Sequence, residues 1–416
     1  MWMMRRSLLI CVVAGVAISV LALPALASGR AAGVAGWQLA QTVHTPAGSP
    51  ASDYVAMTSV SAPSADDVWA AGALESTEGD APNHPVLEHW NGHVWTRIAM
   101  PSSFTSVYDY QVAAVSSADV WVFNSSFKSQ GRFEEKSMWA HWNGRSWTTG
   151  SLAIPALTAS GLIDVAAAAV AGPDDIWVGG VARSYYFSAQ SSDNPFLDFF
   201  NGRTWRVYPF PGTAGEITGI SALSPADVWA VGGSPDGSSG YEVNLLLHWN
   251  GRSWQSIRVP VSLRSAVNGP GFSDVVAESS DSAWVAGLMP WSGGSAYLIP
   301  GLAHWDGTRW TVTTIPASVS SAALISGGTP LVRAVSDGGA GLWLAWQDID
   351  GSDRKSAPGQ LWHYAHGRWT LAPEPGIAAW DLVTALASVP GTGKAWAAGY
   401  TLKTRPGSGL VFRYSA

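Results

Sequence analysis

Residues 226–254 read ADVWAVGGSPDGSSGYEVNLLLHWNGRSW, and this stretch holds both motifs from which the rest of the chain is built. The first is Asp227-Val228-Trp229 followed by small residues. The second is His248-Trp249-Asn250-Gly251, with Trp254 three residues beyond the glycine. Outward from here the first motif returns with its tryptophan at Trp69, Trp121 and Trp177, and in looser form at Trp284, Trp343 and Trp396. The second alternates with it: His89 to Trp95, His141 to Trp147, His304 to Trp310 with Asp306 in place of Asn, and the variants Phe199 to Trp205 and His363 to Trp369. A further copy opens at Arg413 and Tyr414 and stops with the sequence.

A repeat of about 54 residues falls among solenoids and propellers. Asn-Gly between two short aromatic runs signals a two-residue hairpin, because both central residues of a type I′ turn need φ > 0. That register sets Trp90 opposite His93 and Glu88 opposite Trp95, so the two tryptophans share a face and pack diagonally. Alternating runs such as Ile217 to Leu223 and Val112 to Val115 supply one more strand upstream, followed by a short Ser-Pro-Ala-Asp turn. Each repeat is therefore four strands, a to d, and repeats of this kind stack radially as blades. Strands a to c occur seven times, the seventh d strand is missing after Tyr414, and a spare d-like strand sits at Trp37-Gln38-Leu39. The predicted fold is all-β: a seven-bladed β-propeller of four-stranded blades, with an N-terminal strand completing the last blade and closing the ring.

The chain resembles the kelch and galactose-oxidase-like propeller superfamily, and secreted bacterial tryptophan-rich repeat proteins of that general kind. The resemblance rests on strand-b ends such as Val231-Gly232-Gly233, which match the kelch double glycine, followed by the strand-d tryptophans; it spans nearly all of residues 28–416. It implies the propeller architecture more than a particular activity. A copper radical oxidase of the galactose oxidase type needs a cysteine cross-linked to tyrosine, and the only cysteine, Cys11, lies in the N-terminal apolar run. The hairpins lack the extra residue between Asp and Gly that marks sialidase Asp-boxes. No Gly-x-Ser-x-Gly or His-Glu-x-x-His occurs, and Gly391 to Lys394 does not complete a P-loop.

Arg5 and Arg6, an apolar run from Leu8 to Leu23 and the small residues Ala25 and Ala27 have the layout of a secretory signal peptide. We therefore expect residues 1–27 to be removed and 28–416 to form one propeller domain, secreted or associated with the cell envelope. The apolar run is short for a bilayer span, so no membrane span is expected after cleavage. With 23 basic against 30 acidic residues and no basic cluster, a nucleic-acid partner is disfavoured. Only 13% of residues are charged, while 45 glycines and 24 tryptophans speak for short strands and tight turns. A monomer is expected.

Residues that recur in most blades are most simply scaffold. On this reading His89, His141, His248, His304 and His363 pack and hydrogen-bond, Asp67, Asp119, Asp175 and Asp227 satisfy backbone donors in the a-to-b turn, and the tryptophan rows fill the core between blades. Function is sought where blades differ, on the long b-to-c loops of one rim. The candidate ligand-binding residues are Arg183, Tyr185, Tyr186, Trp291, Tyr297, Trp346, Tyr108 and Asp109. They suit an extracellular protein or glycan. No cofactor is expected; the one candidate metal site is Asp348, Asp350 and Asp353, an oxygen-rich run whose spacing departs from the usual calcium loop. Acids near the starts of strands a, namely Asp53, Asp109, Asp164, Glu216 and Asp381, could gather around the channel. The favoured reading is a non-catalytic recognition module; the alternative is a carboxylate-dependent hydrolase or lyase at the channel mouth, using acids such as Asp109 and Asp164.

Overall fold

The hairpin motif closes differently from the type I′ expectation. Trp90 lies directly opposite Trp95 and Glu88 opposite Arg97, so the loop is four residues, Asn91 to Val94. Asn91 Oδ1 accepts the backbone N–H groups of His93 and Val94, both at 3.0 Å, and only Gly92 takes a positive φ, 88°. An asparagine that caps the turn through its side chain removes the need for a second left-handed residue. The register moves by two, which keeps both tryptophans on one face but sets them opposite each other instead of diagonally.

In this computed structural model the described residues are 36–76, 83–106, 109–128, 138–154, 161–184, 192–209, 215–235, 242–263, 271–290, 298–316, 331–347, 359–373, 381–401, 404 and 406–415. Seven antiparallel sheets form the ring of blades. Blade 1 consists of strands a to d at Tyr54–Ser64, Asp67–Glu75, His84–Trp90 and Trp95–Arg97. Strands a of blades 2 to 7 are Tyr110–Ser116, Gly161–Gly172, Glu216–Ser224, Phe272–Ser279, Leu331–Ser336 and Asp381–Ser388. The corresponding strands b are Asp119–Asn124, Asp175–Ser184, Asp227–Pro235, Ser282–Pro290, Leu342–Gln347 and Ala395–Thr401. In blade 7 the d position is taken by Gly36–Val43, which pairs antiparallel with strand c (Ser408–Ser415), Trp37 opposite Tyr414. The N-terminal strand therefore closes the ring as expected. Blade 3 carries an extra edge, Ser126–Lys128, paired with the start of its strand a. Among the described residues the only helical piece is a single 3₁₀ turn, Val261–Leu263, and no helix is long and apolar enough to cross a membrane.

One packing unit repeats around the ring. In blades 2, 3, 6 and 7 the strand-b tryptophan inserts between the c and d aromatics of the next blade. Trp177 meets Trp249 at 5.3 Å and Trp254 edge-on at 5.1 Å; Trp121 meets Phe200 at 4.7 Å and Trp205 at 5.5 Å; Trp396 meets Trp90 and Trp95 across the first-to-last junction. Trp343 meets Tyr414 at 4.6 Å and Trp37 edge-on at 5.4 Å. Trp37 is thus the d tryptophan of blade 7 in packing as well as in pairing, and it is 2% exposed.

The repeated histidines and aspartates are scaffold, but the aspartates serve side chains, contrary to the expectation that they serve the turn backbone. His89, His141 and His248 each place Nε2 at 2.8–2.9 Å from Oδ1 of Asp67, Asp119 and Asp227, and the imidazoles stack on the strand-b indoles, at 4.0 Å for Trp69 and His89. Blade 5 has Ser282 at the aspartate position. Glu278, from the end of strand a, reaches His304, Ser282 and Trp284 instead, and the histidine bond, outweighing the upward push of burial, holds its carboxyl down at about 2. Blade 3 has Phe199 where the histidine belongs, and the unassisted Asp175 carboxyl is pushed up by burial and by Asp174.

Replacing Trp37 by Ala should lower unfolding stability by ~3–5 kcal/mol, the usual cost of emptying a buried indole site. The same change at Leu39, which is 47% exposed in the same strand, should cost under ~1 kcal/mol. Urea denaturation of both variants checks this; equal losses would refute closure through the Trp37 socket.

Candidate functional site

Three residues after the strand-b tryptophan the repeat has glycine in five blades: Gly72, Gly180, Gly232, Gly287 and Gly399. In each of these blades strand a carries a bulge opposite this position, and its carbonyl presses so close that a Cβ would overlap it, as with Asp164 over Gly180 and Glu216 over Gly232. A bulge bends and twists its strand. In blades 1, 4 and 7 the bulged residue is a threonine whose hydroxyl links neighbouring blades: Thr58 donates to the Tyr110 carbonyl at 3.1 Å, Thr218 to Phe272 at 3.0 Å, and Thr384 to Met57 at 2.6 Å across the first-to-last junction. Blades 2 and 6 have Asn124 and Trp346 at the glycine position and no bulge opposite them.

Strands a of all seven blades line a central cavity of about 140 Å³. Its two charged side chains are Asp274 and Arg333. Arg333 donates to the Ser273 carbonyl at 3.0 Å, and Asp274 accepts the backbone N–H groups of Val275 and Ala334. Burial pushes the Asp274 carboxyl up, with Arg333 and the two amides opposing.

Above this cavity, at the rim where strands a begin and strands b end, blades 1, 2, 3, 4 and 7 bring polar side chains together. The Tyr54 hydroxyl donates to Glu75, and its ring stacks on Tyr400 with centroids 5.7 Å apart. Burial and the neighbouring Glu75 push the Tyr54 hydroxyl far up, so it stays protonated. Glu75 is also pushed up by burial, against the Tyr54 hydrogen bond. Ser125, itself 1% exposed, donates to Asp164 at 2.8 Å. Arg183 bridges Glu216 and Asp193, the latter at 3.3 Å. Burial pushes Glu216 up, with Arg183 opposing and Asp164 and Asp193 adding to it.

Asp109 stands among these groups. Its carboxyl is open to water yet ringed by protein, and it is pushed up to about 6 by burial first, then by Glu75 and Asp164, with Arg333 opposing. Among the described residues no group of three His, Cys, Asp or Glu is placed to hold a metal ion.

Of the residues singled out from sequence, Asp109, Asp164, Glu216 and Arg183 meet at this mouth, Arg183 from strand b instead of a loop. Trp346, expected on the long-loop surface, is on strand b and 1% exposed in the core between blades 5 and 6. It fills the space that glycine and a bulge occupy in other blades. Asp53 is buried beside strand a of blade 1. Tyr108, Tyr185, Tyr186, Trp291, Tyr297, the run Asp348, Asp350 and Asp353, and residues 1–27 lie outside the described residues. Sequence reading missed Tyr54, Glu75, Ser125, Tyr400, Asp274 and Arg333. A signal existed: Ser125 and Tyr400 are both four residues after the strand-b tryptophan, and Glu75 and Arg183 both six.

No protein family model and no curated protein matches the chain. Among solved structures it is similar to the BP39L lectin from Burkholderia pseudomallei, with 14% identity, a TM-score of 0.51, and coverage of 87% of this chain and 96% of that one. YCF48 from Cyanidioschyzon merolae aligns at 13% identity and TM-score 0.49 over 91% and 98% of the two chains. The β-propeller domain of the Trilobed protease from Pyrococcus furiosus aligns at 8% and 0.49 over 88% and 95%. The likeness is one of fold, and the class it defines is the β-propeller.

Two outcomes follow. Because Asp109 binds its proton more tightly folded than unfolded, its contribution to stability is complete below about pH 4 and is lost as pH rises to about 6. Asp109→Asn should therefore raise the melting temperature at pH 7.5, by ~2 °C, and leave it unchanged at pH 4; a loss at pH 7.5 would contradict the assignment. Gly232→Ala should destabilise by ~1–3 kcal/mol through overlap with the Glu216 carbonyl, measured by urea denaturation, with a cost near zero counting against the bulge contact.

Proposed function

We propose that this protein is an exported recognition module of the kelch-like, galactose-oxidase-like kind, which holds an extracellular protein or glycan on the rim carrying the channel mouth. One observation carries the reading: side chains from five blades converge there while the rest of the ring repeats. Glu75, Asp109, Asp164 and Glu216 supply acceptors, and the stacked Tyr54 and Tyr400 supply an aromatic wall. Aromatic faces bordered by fixed acceptors suit both sugar rings and peptide side chains.

The alternative, a carboxylate-dependent hydrolase or lyase, draws on Asp109 alone. A carboxyl held near 6 beside two other acids is what a general acid or base requires. The Tyr54 hydroxyl, pushed up and already donating to Glu75, is a poor nucleophile, and Arg183 is engaged by two acids.

The test is a glycan array and a pull-down from the producing culture's envelope, using the full chain and its Asp109→Asn and Tyr400→Ala variants. A ligand retained unchanged over hours, and bound at least ~10-fold more weakly by both variants, supports recognition at the mouth. A ligand consumed by the parent chain but not by Asp109→Asn would instead establish catalysis, and binding indifferent to both variants would move the site elsewhere.

A further inference from the structure

Among the described residues the mouth is short of free positive charge. Arg183 is taken by Glu216 and Asp193, and Arg333 is tied to the Ser273 carbonyl beside Asp274 on the cavity wall. Of the remaining acids, Glu75 receives a tyrosine hydroxyl and Asp164 a serine hydroxyl. Among the described residues Asp109 receives no side-chain or backbone donor, and none of the three is in contact with a cation. We propose that the channel mouth receives an organic cation, an ammonium or guanidinium of the kind a lysine or arginine side chain presents, at Asp109 between Glu75 and Asp164, with its carbon stem against Tyr54 and Tyr400. The inference rests on the mouth being the binding site and adds the chemical class of what enters it.

Three alternatives fit less well. A metal ion needs donors converged at bonding distance, and the described carboxylates do not form such a group. An anionic ligand would meet three carboxylates whose like charges already oppose one another. A neutral sugar could use the acceptors but would leave the charge unanswered. A cation on a hydrocarbon stem answers the charge and also uses the stacked tyrosine faces, through cation–π attraction.

The same arrangement makes capture depend on pH. The groups facing Asp109 are Glu75 on strand b of blade 1, Asp164 on strand a of blade 3, Arg333 on strand a of blade 6, and the protonated Tyr54 and Tyr400 of blades 1 and 7. A bound cation favours the ionised carboxylate, so binding displaces the Asp109 proton and strengthens above about pH 6.

The experiment is calorimetric titration of the full chain with tetralysine in physiological salt at pH 7.5 and pH 5.0, alongside the fully Nε-acetylated peptide. Asp109→Asn and Glu75→Gln test the mouth, and Asp66→Asn, an exposed acid in the a-to-b turn of the opposite rim, controls for general attraction to an acidic protein. Melting curves establish that each variant is folded. Expected are binding at pH 7.5, ~10-fold weaker binding at pH 5.0 as Asp109 takes up its proton, a similar loss with a flattened pH response in Asp109→Asn, and no binding of the acetylated peptide. Tetralysine binding that is absent, or equal in Asp109→Asn, or equal after acetylation, overturns the proposal. If an array or pull-down ligand still depends on Asp109 in that event, the mouth stands as the site and only the cation class falls; if no ligand depends on Asp109, both fall.

Discussion

The ring depends on an indole of one blade seated between two aromatic rings of the next. A four-stranded sheet of this size cannot bury its own faces, and a chain with a single cysteine, Cys11, has no internal disulfide to staple it. The Trp177 socket of Trp249 and Trp254 shows the geometry, edge-on to one ring and tilted on the other, which is the arrangement aromatic quadrupoles favour. Because the unit always points from blade to following blade, the seventh insertion must find its socket in the first. Trp396 between Trp90 and Trp95 meets that requirement. Trp37 meets the other, as the ring that completes the socket for Trp343.

A ring built this way has equivalent blades, and a ligand site needs inequivalent ones. The departure comes from the inner strand. Wherever strand b has glycine three residues after its tryptophan, strand a bulges toward the axis, and the residues just before the bulge are redirected at the rim. Asp164 and Glu216 occupy that place. Blade 2 has Asn124 there and no bulge opposite it, and Asp109 enters the mouth from the chain leading into strand a. The mouth therefore collects acids from neighbouring blades in slightly different settings. Burial raises the acid constants of Glu75, Asp109 and Glu216 alike, and neighbouring acids add to the rise at Asp109 and Glu216. Keeping Asp109 and Glu75 ionised there costs stability, and a group that enters with positive charge would relieve that cost.

Blade count and strand order were legible in sequence because they are a local pattern repeated seven times, the scaffold role of the histidines because they recur in five blades, and ring closure because one strand is displaced to the N-terminus. Repetition also concealed things. Trp346 looked like an exposed aromatic in a variable segment, yet it occupies the position of a buried glycine. The turn aspartates looked like backbone caps, yet their partners are imidazoles 21 or 22 residues away. Those distances along the chain become contacts only when strands b and c pair.

The sequence by itself determined the propeller: periodic tryptophans, Asn-Gly hairpins and one displaced strand admit little else, since each acts through neighbours in the chain or through an identical neighbour in the next repeat. Only the tertiary structure decided the mouth. Tyr54, Glu75, Asp109, Asp164, Arg183, Glu216 and Tyr400 are spread over nearly the whole chain, and what they share is a position at one end of a common axis. Charge repulsion and desolvation depend on distance in space, and the ring is what brings those seven residues within reach of one another.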